Sequence, residues 1–535
     1  MTNETKTADL EVENAQLKRE IAMLAAQVKL LTEQLLLMRQ GRFGRKSEKS
    51  TVVADSQISL FNETELESDI TVPEPELEQI TYSRRKQKGK RELDFSGLPV
   101  ERIIHELPEK KRLCPDCGGP LHACGHEVYR RELTVIPVQF KVTEHVQTAY
   151  SCRGCEKSSA DDSVPMLKST VLAPVIKGSG IASPNLVAYI AHQKYCLALP
   201  LYRQEQELRR NHINLSRQTM ANWLIYTSEH WLAPIYAALK MKLLSGNAIH
   251  ADETSVQVLR EDGKPAESKS YMWLYRTGGD ADRHVVLYDY QSNRKYENPK
   301  MFLKDFKGYL HSDGYEAYHN LPPDITVSGC WAHVRRKFTD ILKSLPDYNR
   351  PGAPAARGKE FCDRLFLLER EFAKLPDDNH FKARREARLK QSKPVMDEFF
   401  VWAGGLGDPP KTPMGKAMTY ALIERPFLEN VLLDGRLELS NNRAERSIKP
   451  FVIGRKNWLF SSTPKGATAS AMFYSIIETA KENGLNPYEY LKFIFETAPN
   501  LPLADNPKCI EGLLPWNATS ACRGSMRVPM DNVNP

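Results

Sequence analysis

Three acidic residues stand in settings that could do chemistry together. Asp252 lies in His250-Ala251-Asp252-Glu253-Thr254, Asp313 in His311-Ser312-Asp313-Gly314-Tyr315, and Glu445 in Asn441-Asn442-Arg443-Ala444-Glu445-Arg446. Cutting a phosphodiester needs an activated oxygen nucleophile and a stabilised leaving oxygen. Two divalent ions about 3.5–4 Å apart supply both in an in-line displacement. Mg²⁺, or Mn²⁺ in its place, takes hard oxygen ligands of the kind three carboxylates offer. Converging carboxylates repel one another without a cation, so the cluster is costly unless it binds metal. Each acid also has a plain structural reading. A strand Asp can sit at an edge, Asp313 before Gly314 suits a turn, and Asn442 with Glu445 has the spacing of a helix capping box. Base surrounds the acids: Arg335, Arg336 and Lys337 follow the second, while Arg443, Arg446, Lys449, Arg455 and Lys456 surround the third, with Trp458 and Phe460 close by. Basic residues interleaved with aromatics can neutralise phosphate and stack on bases.

Rigid elements must hold these groups. Ala248–Val258, Tyr271–Tyr275, Arg283–Tyr290, Gly308–Ser312 and Ile325–Gly329 read as strands, and Trp331–Leu345 as a helix with Val334, Phe338, Ile341 and Leu345 inward. Strand parity puts Asp252 on one face with His250 and Thr254, and Glu253 on the other. His311 and Asp313 repeat the pairing, so neighbouring strands would set the two histidines side by side, one step below the aspartates. They are expected to support the acids, or else to be packed neutral residues. Residues 346–430 read as helical and charged. Upstream, Leu201–Leu208 and Ser216–Leu224 read as two helices with Ser216 as N-cap. The second would present Arg217, Gln218 and Asn222 and bury Met220 and Trp223, the outline of a helix-turn-helix that could enter a major groove or of an ordinary helical bundle.

Cys114-Pro115-Asp116-Cys117 and Cys152-Arg153-Gly154-Cys155 are two CxxC pairs. Four thiolates would close a tetrahedral structural Zn²⁺ site. Alternating apolar residues over 128–150 read as antiparallel strands between them, so the module is zinc-ribbon-like, with Cys124, His122 and His126 as spare ligands. Cys330 and His333 form a lone CxxH, which is not assigned zinc. At the amino terminus Leu10, Leu17, Leu24, Leu31 and Met38 interleave with Asn14, Ile21, Val28 and Leu35. That is a coiled-coil seam, and branched residues opposite leucines favour a parallel dimer with Asn14 fixing register. Residues 50–100 lack periodicity and pass from acidic to basic, as a linker does. The 535 residues carry 74 Lys+Arg against 67 Asp+Glu, a net charge of +7, with 41% hydrophobic and 26% charged residues. These values exclude wholesale disorder, and ten cysteines are too sparse for a disulfide scaffold. No signal peptide or membrane span is apparent, which points to the reducing cytoplasm.

The strings Gly41-Arg42-Phe43-Gly44-Arg45-Lys46-Ser47-Glu48-Lys49, CPDCGG at 114–119, HADET at 250–254, HSDGYEAY at 311–318, CWAHVRRKF at 330–338 and LSNNRAERSIKPFVIGRKNWLF at 439–460 resemble the large transposase of the insertion-sequence-66 family, a bacterial DDE transposase. Similarity continues through 461–495 and Leu513-Leu514-Pro515-Trp516. The resemblance implies a multidomain α+β protein with a ribonuclease-H-like α/β catalytic core, in which Asp252, Asp313 and Glu445 form the acidic triad and a helical insertion precedes the glutamate. It implies Mg²⁺-dependent cleavage at element ends, then attack of the freed 3′-hydroxyl on target DNA. The expected organisation is a coiled-coil dimerisation helix (1–48), a linker (49–100), a zinc-ribbon-like module (101–165), a helix-turn-helix-like DNA-binding region (166–245), a core (246–345) interrupted by a helical insertion (346–430) and completed by 431–462, and a helical region with a tail (463–535). Partners implied are terminal inverted repeats, target DNA, a second copy and accessory proteins of the same element; the location implied is the bacterial cytoplasm, on the nucleoid. Two alternatives remain open: a non-catalytic DNA-binding regulator, and a nuclease with the same core that does not join strands.

Overall fold

The computed structural model describes residues 138–151, 166–346, 350–375, 380–407, 411–503, 506–518 and 522. The coiled-coil helix, the linker, all four CxxC cysteines, the spare ligands Cys124, His122 and His126, and the end of the tail lie outside the described residues. The chain divides into two compact units, one containing residues 70–172 and the other residues from Ala173 onward. In the first unit β1 (Ala149–Ser151) pairs antiparallel with β2 (Met166–Lys168). The alternating segment before β1 is not in a ladder over residues 138–148. Val138, Val142 and Val146 are exposed there, with no sheet face to bury them among the described residues.

The second unit begins with four helices: α1 (Pro184–Tyr195), α2 (Leu201–Arg210), α3 (Arg217–Thr227) and α4 (Ala233–Leu244). Ser216 does cap α3, its side chain accepting from the Thr219 N–H, and Met220 and Trp223 are buried as their spacing predicts. These helices share one hydrophobic core with a five-stranded sheet. The strands are β3 (Ala248–Gln257), β4 (Lys269–Thr277), β5 (Val286–Gln291), β6 (Gly308–His311) and β7 (Ile325–Ser328), in the order β5-β4-β3-β6-β7. β3, β4 and β5 form an antiparallel meander, whereas β6 and β7 run parallel to β3. β4 reads Met272-Trp273-Leu274-Tyr275 without polar alternation because helices cover both faces of the sheet there, and all four side chains are buried. Two short helices, α5 (Glu297–Phe302) and α6 (Glu316–His319), flank β6.

After β7 the chain leaves the sheet for α7 (Trp331–Ser344), α8 (Pro354–Phe372), α9 (His380–Ala387), α10 (Lys393–Gly405) and α11 (Pro413–Leu428). The apolar faces of α7, α8, α10 and α11 form a second core around Trp331, Phe338, Phe361, Phe399 and Phe400. Gly358 lets α8 approach α7: a Cβ there would lie 2.7 Å from the Phe338 ring. The chain returns to the sheet with α12 (Asn442–Trp458), α13 (Pro464–Glu482) and α14 (Pro487–Thr497). α13 covers the outer edge of β5. Ser475 Oγ accepts from Tyr288 N–H (2.8 Å), and Thr479 Oγ1 both accepts from Val286 N–H (3.0 Å) and donates to Val286 O (2.9 Å). Two hydroxyls spaced i, i+4 thus satisfy an edge strand that would otherwise offer unpaired backbone groups.

Candidate active site

The parallel ladder between β3 and β6 ends at the pair His250–His311. Asp252 and Asp313 each stand two residues beyond that pair, where β6 ends at its carboxyl end while β3 runs on, paired only with β4. Such a ladder end opens a crevice, the usual place for a site in a sheet with parallel strands. The even-numbered face of β3 meets α12. His250 contacts Asn441 just before that helix, and Thr254 Oγ1 accepts from Arg455 near its end (3.1 Å). Glu445, in the first turn of α12, is thereby brought to the aspartates. Burial, and after it the charges of Glu253, Asp313 and Glu445, push the Asp252 carboxyl well above the ordinary aspartate range. Asp313 is pushed up to about 6, chiefly by burial and then by Glu253.

The plain readings of these acids are partly realised. Asp313 Oδ1 accepts from the Tyr315 N–H (3.1 Å), which is turn chemistry. Gly314 is needed for a close approach, since a Cβ there would lie 2.7 Å from the Tyr420 ring of α11. The capping box does not form. The N-cap of α12 is Asn441, its side chain makes no capping bond, and Glu445 faces Arg336 (3.0 Å) and His333 (3.7 Å).

Asn441 instead bolts the helix to the sheet. Its Nδ2 donates to Ala251 O (2.7 Å), so its Oδ1 is free to accept from His250 Nδ1–H (3.0 Å), and its N–H reaches Cys330 Sγ (3.1 Å). The neighbouring ring, His311, accepts the Glu438 N–H at Nε2 (3.1 Å), and the two imidazoles stack with centroids 4.4 Å apart. Burial lowers His250 to about 4 and, with His250 alongside, holds His311 well below 6.5. Both rings are therefore neutral at pH 7 and fix the entry of α12. Replacing His250 by Phe keeps an aromatic ring but orphans Asn441 Oδ1. The expected result is a loss of about 1–3 kcal/mol in urea unfolding; an unchanged midpoint would show that the bolt carries no load.

Glu253, on the opposite face of β3, is held by Arg294 Nε (2.8 Å) and the Tyr318 hydroxyl (2.6 Å), and Arg294 lies over the Tyr315 ring. The basic residues singled out in the sequence divide. Arg336 pairs with Glu445, Arg443 with Glu438 (2.7 Å) and Arg335 with Asp363 (2.6 Å), while Arg455 donates to Ser255 O of β3. Those guanidiniums are engaged within the protein, so their positive charge first serves its own acids and strand. Arg446 and Lys456 are exposed on α12, Lys449 is half-buried, and Arg217 and Gln218 are exposed on α3. Asn441 and Glu438 were not singled out by sequence reasoning, because their partners stand far away in the chain; Glu253 figures there only as the rival to Asp252.

The donors around Asp252 suit a hard cation. Arg294 and Arg336 go to Glu253 and Glu445 rather than to either aspartate, one oxygen of each aspartate is steadied by a backbone N–H, and Glu445 Oε1 is buried without a hydrogen-bond partner. Since a cation binds deprotonated carboxylates, and Asp252 and Asp313 hold their protons more tightly in the folded state, metal competes with protons as the pH falls through about 6. Millimolar Mg²⁺ is expected to raise the unfolding temperature by about 2–4 °C at pH 8 and to lose that effect by about pH 5. Differential scanning fluorimetry checks this, and an increment independent of pH would detach Mg²⁺ from these acids.

This geometry defines a mixed helix and sheet protein with an acidic centre where the parallel β3–β6 ladder ends. Residues 179–469, more than half of the chain, match the family described as "Transposase IS66 family". The chain belongs to that transposase family, a family of DNA-binding proteins. Residues 111–156 match the zinc-finger binding domain of transposase IS66, 475–516 the IS66 C-terminal element, and 30–103 the segment described as "Transposase C of IS166 homeodomain". The uncharacterized protein y4qI of Sinorhizobium fredii (strain NBRC 101917 / NGR234) is 30% identical over 504 residues, covering 90% of this chain and 88% of the relative. The uncharacterized protein y4hP of the same strain is 28% identical over 442 residues, covering 78% and 74%. Among the described residues no helix is long and apolar enough to cross a membrane.

Proposed function

We propose that the chain is a DDE transposase that binds the ends of an insertion element, cuts DNA there and joins the freed 3′ ends to a target. Asp252, Asp313 and Glu445 hold a pair of Mg²⁺ or Mn²⁺ ions. When bound, the ions supply an activated oxygen nucleophile and stabilise the leaving oxygen. The observation that carries this reading is geometric: Asp252 and Asp313 stand two residues beyond the last pair of the β3–β6 ladder, and α12, fastened to β3 through Asn441 and Arg455, carries Glu445 in its first turn; the charges of Glu253, Asp313 and Glu445 all raise Asp252. The strand order, an antiparallel meander continued by two parallel strands with the third acid returning on a helix, supports a ribonuclease-H-like core.

The chain's own residues orient the substrate. Arg446, Lys449 and Lys456 lie along the helix that carries Glu445 and offer charge to the DNA backbone. Arg217 and Gln218, presented by the capped helix α3, read the element end. The four cysteines at 114, 117, 152 and 155 hold a structural Zn²⁺ in the zinc-finger segment, and the amino-terminal heptads pair two copies. The test is purified full-length protein with a labelled element end, target DNA and Mg²⁺. Joined products are expected. Cutting without joining would reduce the reading to a nuclease, and binding without cutting to a regulator.

A further inference from the structure

Cys330, His333 and Glu445 are separate in the chain but meet in space: one ligand atom from each lies within 4.8 Å of the others. Cys330 is the N-cap of α7 and His333 sits in its first turn, so the CxxH spacing sets both side chains on one side of the helix start. Glu445 Oε1, the carboxylate oxygen nearest His333, is buried and lacks any hydrogen-bond partner. His333 Nε2 and Glu445 Oε1 are 3.7 Å apart, close to the roughly 3.5 Å that separates two ligands of a tetrahedral zinc ion. The other carboxylate oxygen is occupied by Arg336 (3.0 Å), and the sulfur is oriented by the Asn441 N–H (3.1 Å). A thiol, an imidazole and a carboxylate select Zn²⁺ or Co²⁺ over Mg²⁺, which prefers oxygen alone.

We propose that Cys330, His333 and Glu445 form a further metal site, for Zn²⁺ or a similarly soft divalent ion, outside the zinc-finger segment and sharing Glu445 with the acidic centre. Coordination forms a metal–sulfur bond and releases the thiol proton to solvent. His333 and Glu445 are partly exposed, so water can complete a fourth position. The consequence, which rests on the catalytic reading above, is that Zn²⁺ draws Glu445 away from the Mg²⁺ pair and inhibits cleavage.

Co²⁺ added to full-length protein tests the site without reference to activity. Wild type is expected to take up one equivalent more than either Cys330→Ser or His333→Asn. The difference spectrum should show a thiolate-to-cobalt charge-transfer band in the near ultraviolet. Equal uptake and superimposable spectra, in variants with wild-type unfolding temperatures, would overturn the site. Two variants are needed because Cys330 is buried; His333→Asn keeps the thiol. In the second arm, the Zn²⁺ concentration that halves Mg²⁺-supported nicking should rise at least about tenfold in Cys330→Ser, as for loss of a metal's supporting partner. A cobalt site in protein that nicks equally well with Zn²⁺ added would overturn the sharing of Glu445. Protein that never nicks would count against the catalytic reading while the cobalt result stands.

Discussion

Asp252→Asn is expected to reduce Mg²⁺-dependent nicking of an element end by about a thousandfold or more, the equivalent of about 4 kcal/mol of transition-state stabilisation. Asparagine keeps the side-chain size and an oxygen for the Glu253 N–H, now 2.8 Å from Asp252 Oδ1, so the strand should be undisturbed. End binding, measured by mobility shift, should change little. Stability gives an independent sign. The raised acids Asp252 and Asp313 make the metal-free native state hold more protons than the unfolded chain, so their contribution to stability falls as pH rises from about 4 through 6. Removing one charge relieves this. The metal-free variant should therefore melt above metal-free wild type at pH 8, with the gap closing towards pH 4. Near-wild-type nicking by Asp252→Asn would remove the two-ion reading.

Glu369→Ala is expected to cost about 3–5 kcal/mol of folding free energy, because it leaves a buried guanidinium unpaired. Arg388 sits in a wide helical turn between α9 and α10 with its side chain fully buried. It pairs with both oxygens of Glu369 on α8 (2.6 and 2.8 Å) and donates to the carbonyls of Val431, Asp434 and Leu437 (3.0, 3.1 and 2.7 Å). Those carbonyls belong to the loop that leads into α12. Chemical denaturation should show the loss directly, and a variant that folds at low temperature should also bind Mg²⁺ more weakly, since the same loop delivers Glu445. A loss below about 1 kcal/mol, the range of an exposed pair, would contradict the burial of this network.

Much of the sheet was legible because strands announce themselves by short apolar runs between turn residues. β3, β6 and β7 begin at the residues expected, and strand parity sets Asp252 and Glu253 on opposite faces of β3, although the charge of Glu253 still reaches both aspartates. β4 begins earlier and β5 later than expected. Lys269 and Ser270 extend β4 through ladder bonds that hydropathy does not encode, and Arg283 to Val285 belong to the turn entering β5. The stacked histidines were foreseen as neighbours from the repeated His-x-Asp spacing, but their anchors were not. Asn441 and Glu438 lie far along the chain, and no local pattern reveals that a helical excursion will return them to His250 and Ala251 within β3 and to His311 at the end of β6. The CxxH was visible and looked weak for the same reason: its third ligand arrives with α12. Engagement of Arg455 and Arg443 within the protein was equally hidden, because a basic run looks the same whether it faces phosphate or its own backbone.

The path of the chain has a consequence for timing. Asp313 follows Asp252 out of the ribosome by 61 residues, and Glu445 follows Asp313 by a further 132, roughly ten seconds of translation. Until then the strands lack α12 and α13, and on the proposed mechanism the ion pair lacks its last ligand. A nascent polypeptide still attached near the gene that encodes it would be chemically inert, and competence to cut would arrive only after α12 has been made and has docked.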